Sequence, residues 1–218
     1  MKRQGISNNV IRRLPQYLRK LDDLTYKGVE RISSSELGVQ MGLTPSQIRQ
    51  DFSCFGEFGQ QGYGYNVRAL RAEIANILGM DRDYSVILVG VGHIGQSLIQ
   101  NFDFSRYGFR FMGAFEVRKE LVGTEIAGSI IMDAEYQDEF IRQKNIDIAI
   151  LSVQKRRAQA VTNRLVRSGI RAIWNFTDVH VDAGDPNVIV EDIYFSDSLL
   201  SLSYRLSIED KSGADKHI

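Results

Sequence analysis

The sequence predicts two parts, a small helical unit and then an α/β unit built on a parallel sheet. Three observations carry this. Up to Leu78-Gly79 the apolar residues recur at three- and four-residue spacing, the period of an amphipathic helix. Beyond it, β-branched runs alternate with helical segments, as in strands covered on both faces. Between them Gly79 and the polar Met80-Asp81-Arg82-Asp83 mark a boundary, since glycine takes the left-handed turn that ends a helix. The expected division is residues 1–79, 80–194, a C-terminal helix 195–208 and a frayed polar tail 209–218.

Composition narrows the function classes. A chain of 218 residues builds its cores without staples. Its single cysteine, Cys54, excludes an internal disulfide, and three histidines are too few for a metal cluster, so no metal is expected. The N-terminal MKRQGISNNV lacks the apolar core of a signal peptide. No apolar run approaches the ~20 residues of a membrane helix. A soluble cytoplasmic protein without membrane contact is the expectation. The zero net charge hides an asymmetry: residues 1–79 carry 11 basic and 7 acidic residues, and residues 80–218 carry 16 and 20. A basic head on an acidic body points weakly to nucleic acid.

In the first part, Val10, Ile11, Leu14, Tyr17, Leu18, Leu21 and Leu24 form one apolar stripe, with Pro15 expected near the first turns, where its missing N–H costs least. Ser33 to Glu36 reads as a capping box that opens a short helix ending at Gly42. Thr44-Pro45-Ser46-Gln47 is a second start, with Thr44 as cap, Pro45 at the first position and Gln47 reaching back. Two capped helices joined by Gly42-Leu43 make a helix-turn-helix. Its second helix turns Ile48 and Phe52 inward and leaves Ser46, Arg49, Gln50 and Ser53 outward. FGEFGQQGYGY follows, with Gln61-Gly62 as the turn between two aromatic arms, the wing of a winged helix. DNA contacts are expected from Ser46, Gln47, Arg49, Gln50 and Ser53, and from Gln60, Gln61 and Tyr63 of the wing. The alternative is a helical bundle that only packs on its neighbour. Val67, Leu70, Ile74, Ile77 and Leu78 close the unit with one more helix.

In the second part the expected strands are 84–89, 109–115, 146–152, 170–174 and 188–193, with helices over 96–102, 134–144 and 158–167. The last stretch, SDSLLSLSYRLS, is helical, with Leu199, Leu202 and Leu206 in one stripe and little of its own domain left to pack on. A partner subunit is the expected cover. The first strand runs into Gly90-Val91-Gly92-His93-Ile94-Gly95. A glycine loop between strand and helix is the dinucleotide-binding fingerprint of a Rossmann-type domain. Gly90 makes the tight turn, Gly92 lets backbone approach a pyrophosphate, and Gly95 lets the helix pack on the strand. The helix start adds unpaired N–H groups and the positive end of its dipole. Glu116, 21 residues past Gly95, is placed to accept the adenosine ribose hydroxyls and to repel a 2′-phosphate. NAD(H) is therefore expected over NADP(H), with Arg118 and Lys119 able to swing onto a 2′-phosphate. The candidate cofactor residues are Gly90, Val91, Gly92, His93, Ile94, Gly95, Glu116 and Lys119. The alternative is a structural glycine turn in an empty domain.

A dehydrogenase would need an acid–base group and a substrate wall. About 25 residues remain after Ile193, too few for such a wall. His93 reads as cover for the pyrophosphate, His180 as a loop histidine near the nicotinamide end, and Cys54 as a small buried thiol. No catalytic residue is assigned; a small oxidoreductase that borrows residues from its partner is the alternative.

Taken together, RRLPQYLRKLDDL, RISSSEL, SQIRQDFSCFGEFGQQGYGYNV, VGVGHIG, the AFE…VG exit, RRAQAVTNRLVRSGIRAIWNF and VEDIYF…LSLSY resemble the Rex family, over roughly residues 10–206. These are NADH-responsive bacterial transcription repressors. The resemblance implies a winged-helix domain, a Rossmann domain and a homodimer that exchanges its C-terminal helix. It also implies binding of palindromic operator DNA with NAD⁺ or no ligand, and release with NADH. Arg49 matches a basic recognition-helix position, and Gly90–Gly95 match the nucleotide loop. The chain departs from the family pattern at Gln154 and Asp178, where proline is common, and at Tyr194, where an acid is expected. Gln50, Gln60 and Gln61 stand where basic residues are common. The departures predict weaker, less salt-sensitive DNA binding, and Asp178 with Glu116 could favour cationic NAD⁺. A divergent paralogue answering another ligand, or one no longer redox-selective, is the second reading.

Overall fold

The computed structural model describes residues 6–56, 58 and 63–214. The chain forms two compact units that divide between Arg82 and Asp83, three residues beyond the expected boundary.

The first unit opens with α1, Asn8–Tyr26, capped by Ser7. Its stripe from Val10 to Leu24 is buried, except that Ile11 is exposed. One residue past Val10 turns the side chain by about 100°, off the edge of the stripe. Pro15 lies inside α1 rather than at its first turn, which leaves the Ile11 carbonyl without a helical donor on a side that water reaches. α2, Ser34–Met41, carries both halves of its capping box: Ser33 Oγ accepts from the Glu36 N–H at 3.1 Å, and Glu36 accepts from the Ser33 N–H at 2.8 Å. α3, Pro45–Ser53, is capped by Thr44, whose hydroxyl accepts from the Gln47 N–H at 3.1 Å; the Gln47 carboxamide makes no return bond among the described residues. α4, Val67–Ile77, closes the unit under an Asn66 cap. β1, Arg31–Ile32, pairs antiparallel with β2, Tyr65–Asn66. The arm that follows the wing turn is thus zipped to the segment before α2. Gln60, Gln61 and Gly62 lie outside the described residues.

The core of this unit stacks Tyr17, Phe52 and Tyr65, with ring centroids 4.8 and 5.2 Å apart. At its edge lies Asp51, only 2% exposed. Its carboxylate takes a two-pronged pair of bonds from Arg13 at 2.6 and 2.7 Å and a third from the Tyr17 hydroxyl at 2.7 Å. A buried carboxylate persists only when it is paired and hydrogen-bonded. This cluster fastens α3 to α1.

The second unit is a seven-stranded sheet in the order β5-β6-β4-β3-β7-β8-β9. The strands are β3 Tyr84–Val89, β4 Phe109–Glu116, β5 Glu125–Ile126, β6 Ser129–Asp133, β7 Ile148–Leu151, β8 Ala172–Asn175 and β9 Ile189–Asp192. All neighbours are parallel except β5 on β6. The β5–β6 hairpin is absent from the expected elements. Its turn, Ala127-Gly128, has both φ angles positive, and alanine at the first position carries no hairpin signal. α5, His93–Asn101, packs with Phe104 on one face of the sheet; α6, Gln137–Lys144, and α7, Lys155–Ser168, cover the other. α8, Phe195–Ala214, runs past the expected frayed tail, helical to Ala214. Its Leu199, Leu202 and Leu206 are exposed.

Chain order reverses between β3 and β7, the switch point at which open sheets bind ligands. There the packing is close. Gly90 has φ +93°, and a Cβ on it would lie 2.6 Å from the Ser152 carbonyl; one on Gly95 would lie 2.4 Å from the Gly90 carbonyl.

Two outcomes follow for urea unfolding. Asp51→Ala strands the Arg13 charge and is expected to destabilise the first unit by about 3 kcal/mol, the lower end for a broken buried pair, with Asp51→Asn less costly. Gly95→Ala is expected to destabilise the second unit by about 1–3 kcal/mol through overpacking, with the first unit's midpoint unchanged.

Candidate functional site

A cleft of about 380 Å³ opens at the switch point, between the strand ends and the first turns of α6 and α7. The turn after β3 forms one wall and is held from three sides. The Gly90 N–H donates to the Phe115 carbonyl at 2.9 Å, the Ser152 hydroxyl donates to the Gly90 carbonyl at 2.6 Å, and the Val91 N–H donates to Glu116 at 2.8 Å. Gly92 caps α5 without any side-chain bond, so the first N–H groups of α5 have no partner from a cap. A Cβ at Gly92 would meet nothing within 4 Å. An uncapped helix start facing open space beside a glycine fits a phosphate, so the residues present suit a dinucleotide.

The expected cofactor residues separate into two groups. Gly90 and Gly92 line the cleft, Gly95 lies buried beneath the turn, and His93 and Ile94 stand exposed at the start of α5. Val91 builds the turn instead of facing a ligand. Its side chain is buried, and its carbonyl accepts from Gln96 at 3.2 Å and from Arg118 at 2.9 Å. Glu116 lines the cleft but is 6% exposed. One of its oxygens accepts from the Val91 N–H and from Arg118 Nη2, and the other from the Val117 and Arg118 N–H groups at 2.8 and 3.1 Å. Burial pushes this carboxyl up, yet those bonds together outweigh it and hold it below the usual carboxylate range. The expected ribose acceptor is therefore a clip between strand end and glycine turn. Lys119 pairs with Asp133 at the end of β6, so its ammonium is already engaged.

The sequence reading passed over Arg156, Arg157 and Arg164, which line the opposite wall with Gln137. The signal was present: Lys155-Arg156-Arg157 opens α7, the helix end where the dipole disfavours cations. Cations there need an outside reason, and an anion in the cleft supplies one.

At the far strand ends, His180 Nδ1 lies 2.6 Å from Asp192, whose hydrogen bond and charge raise its pKa above the ordinary value. Asn175 donates to the same Asp192 at 2.7 Å. Asp178, in the left-handed region at φ 57°, pairs with Lys155 at 2.5 Å. Asp178 and Glu116 are both neutralised, which removes the expected electrostatic bias toward cationic NAD⁺. Gln154 lines the cleft and accepts from Arg156 at 3.0 Å; Tyr194 is half-buried.

In the first unit Ser46, Arg49, Gln50 and Ser53 are exposed on α3, and Gln47 is half-buried. Arg49 donates to the Ser34 hydroxyl at 2.9 Å, which orients its guanidinium at the start of α2. Tyr63 is 70% exposed, and its carbonyl accepts from Arg31 at 3.3 Å. Cys54 is exposed, not the buried thiol expected, because it follows the last turn of α3 and its thiol reaches only the Gln50 carbonyl, at 3.4 Å. Among the described residues no helix is long and apolar enough to cross a membrane, and no three metal-ligating side chains gather.

Comparisons with known proteins agree with this division. Residues 5–53 match the family model described as a putative DNA-binding protein N-terminus, and residues 81–179 match the CoA binding domain. The redox-sensing transcriptional repressor Rex of Caldanaerobacter subterraneus subsp. tengcongensis is 46% identical, over 96% of this chain and 93% of its own. That of Clostridium perfringens is 44% identical over 96% and 98%. Among solved structures, RSP in complex with β-NAD⁺ and operator DNA is 45% identical with a TM-score of 0.89, covering 98% of both chains. RSP in complex with β-NADH is 42% identical, also at 0.89, covering 96% and 98%. A helix-turn-helix unit, a Rossmann-type unit and near-complete coverage at this identity lead to one conclusion: the chain belongs to the Rex family of redox-sensing transcriptional repressors.

Proposed function

We propose that the chain represses transcription by holding operator DNA with NAD⁺ or with no nucleotide, and that NADH releases it. The observation that carries this is the uncapped start of α5 beside the open space at Gly92, in a chain that matches RSP along nearly its whole length. Gly90, Gly92 and the N–H groups of His93, Ile94 and Gly95 would hold the pyrophosphate, as a helix start and a close backbone permit. Bound nicotinamide supplies the redox signal, since its oxidised and reduced rings differ by one positive charge. Ser46, Arg49, Gln50 and Ser53 of α3, with Tyr63 and the wing residues Gln60 and Gln61, would meet the DNA.

A palindromic operator requires two copies. The exposed Leu199, Leu202 and Leu206 of α8 support exchange of this helix in a homodimer. A change in the spacing of two recognition helices then breaks the fit to fixed half-sites. Moving occupancy from 1:99 to 99:1 takes about 5.5 kcal/mol of differential binding between the two arrangements.

The deciding measurement is one operator titration by fluorescence anisotropy, repeated with NAD⁺, NADH and no nucleotide. Tight binding is expected in the first and last and at least ~10-fold weaker binding with NADH, about 1.4 kcal/mol. Equal affinity in all three would end the sensor reading. With glutamine at 50, 60 and 61, the slope of log K against log salt is expected to be shallower by roughly 0.9 for each phosphate contact regained when these glutamines are replaced by lysine. Unchanged slopes in the lysine variants would show that these positions do not touch phosphate.

A further inference from the structure

Glu116 stands where NAD-selective sites keep an acid to take the ribose hydroxyls. Its two oxygens offer about four lone-pair positions, and four donors from this chain already fill them: the N–H groups of Val91, Val117 and Arg118, and Arg118 Nη2. Accepting a ribose hydroxyl would mean giving up one of these bonds. Its charge is also met, by Arg118 at 3.2 Å. The two properties that make such an acid select against a 2′-phosphate, free acceptors and uncompensated charge, are both missing.

Arg118 occupies the position beside it. The guanidinium is half exposed at the cleft, and only its Nη2 is engaged, on Val91 and Glu116. Its Nε and Nη1 have no partner among the described residues, and a guanidinium presents five donors in a fork that matches phosphate oxygens. Arg156, Arg157 and Arg164 line the same cleft, and Glu116 is the one acidic residue among the described lining. Asp138 offsets Arg164, at 2.7 Å. With the pyrophosphate met by the start of α5, the cleft retains positive charge that an unphosphorylated dinucleotide leaves unanswered.

We propose that the adenosine end of this cleft accepts a ribose carrying a 2′-phosphate, so that the protein binds NADP(H)-type dinucleotides alongside NAD(H), with Arg118 as the specificity-determining residue. This rests on the nucleotide reading above and names the ligand class for that site. The 2′-phosphate sits on the Arg118 fork, while Glu116 keeps its place as the clip beneath.

Calorimetric titration of the full-length protein with NADH and NADPH tests it. The NADPH Kd is expected within about tenfold of the NADH Kd, and NADPH affinity should fall more steeply with salt because an added dianion is held by exposed charge. Arg118→Ala is expected to weaken NADPH at least about fivefold more than NADH, and Arg118→Lys to recover part of that difference as a point charge without the fork. NADH binding with a gap wider than tenfold to NADPH, parallel salt dependences, or equal losses in Arg118→Ala would each overturn the proposal and leave the NADH reading standing. Failure of both nucleotides to bind would overturn both. Should Arg118→Ala not fold, the lysine variant and the salt comparison still decide.

Discussion

Backbone packed against backbone at Gly90 and Gly95 is the constraint on which the second unit depends. The Gly90 turn lies against the Ser152 carbonyl, and Gly95 lies against Gly90 itself. Side chains are excluded from both places, so β3, β7 and α5 meet through main chain alone. The Ser152 hydroxyl and the Glu116 carboxylate then tie the turn to β7 and β4. The cleft inherits its shape from this knot. A turn held from three sides presents its amides without having to order them at the moment of binding.

The large features of the fold were legible because each rests on local chemistry. Capping residues at Ser33 and Thr44 and the glycine at 42 place α2 and α3 before any tertiary contact is considered. β-Branched runs place β3 and β7 in the same way. What stayed hidden depends on residues far apart in sequence. Nothing near Arg13 announces a carboxylate 38 positions away, and Ala127-Gly128 makes a tight turn that its first residue does not advertise. Pro15 was misplaced because a helix can carry a proline where the freed carbonyl faces water.

The site shows the same split. The glycine spacing predicts where a phosphate can approach, since glycine geometry is a property of the chain itself. The role of Glu116 was not readable, because whether a carboxylate is free or saturated depends on which donors the fold brings to it. Spacing found the residue and assigned it the wrong partner. Arg156 and Arg157 were overlooked, although cations at a helix start already pointed to an anion. Both cases turn on counting charges and lone pairs, which a motif does not do.

The Arg13–Asp51–Tyr17 cluster has a consequence for genetics. α3 is fastened through its own buried carboxylate to a helix that begins at Asn8, so the reading head cannot adjust apart from its mount. Lesions at Arg13 would therefore mimic lesions in the reading head itself. A screen for lost repression would score this arginine as though it touched bases, and a map of such alleles would trace the mount as clearly as the surface that meets the operator.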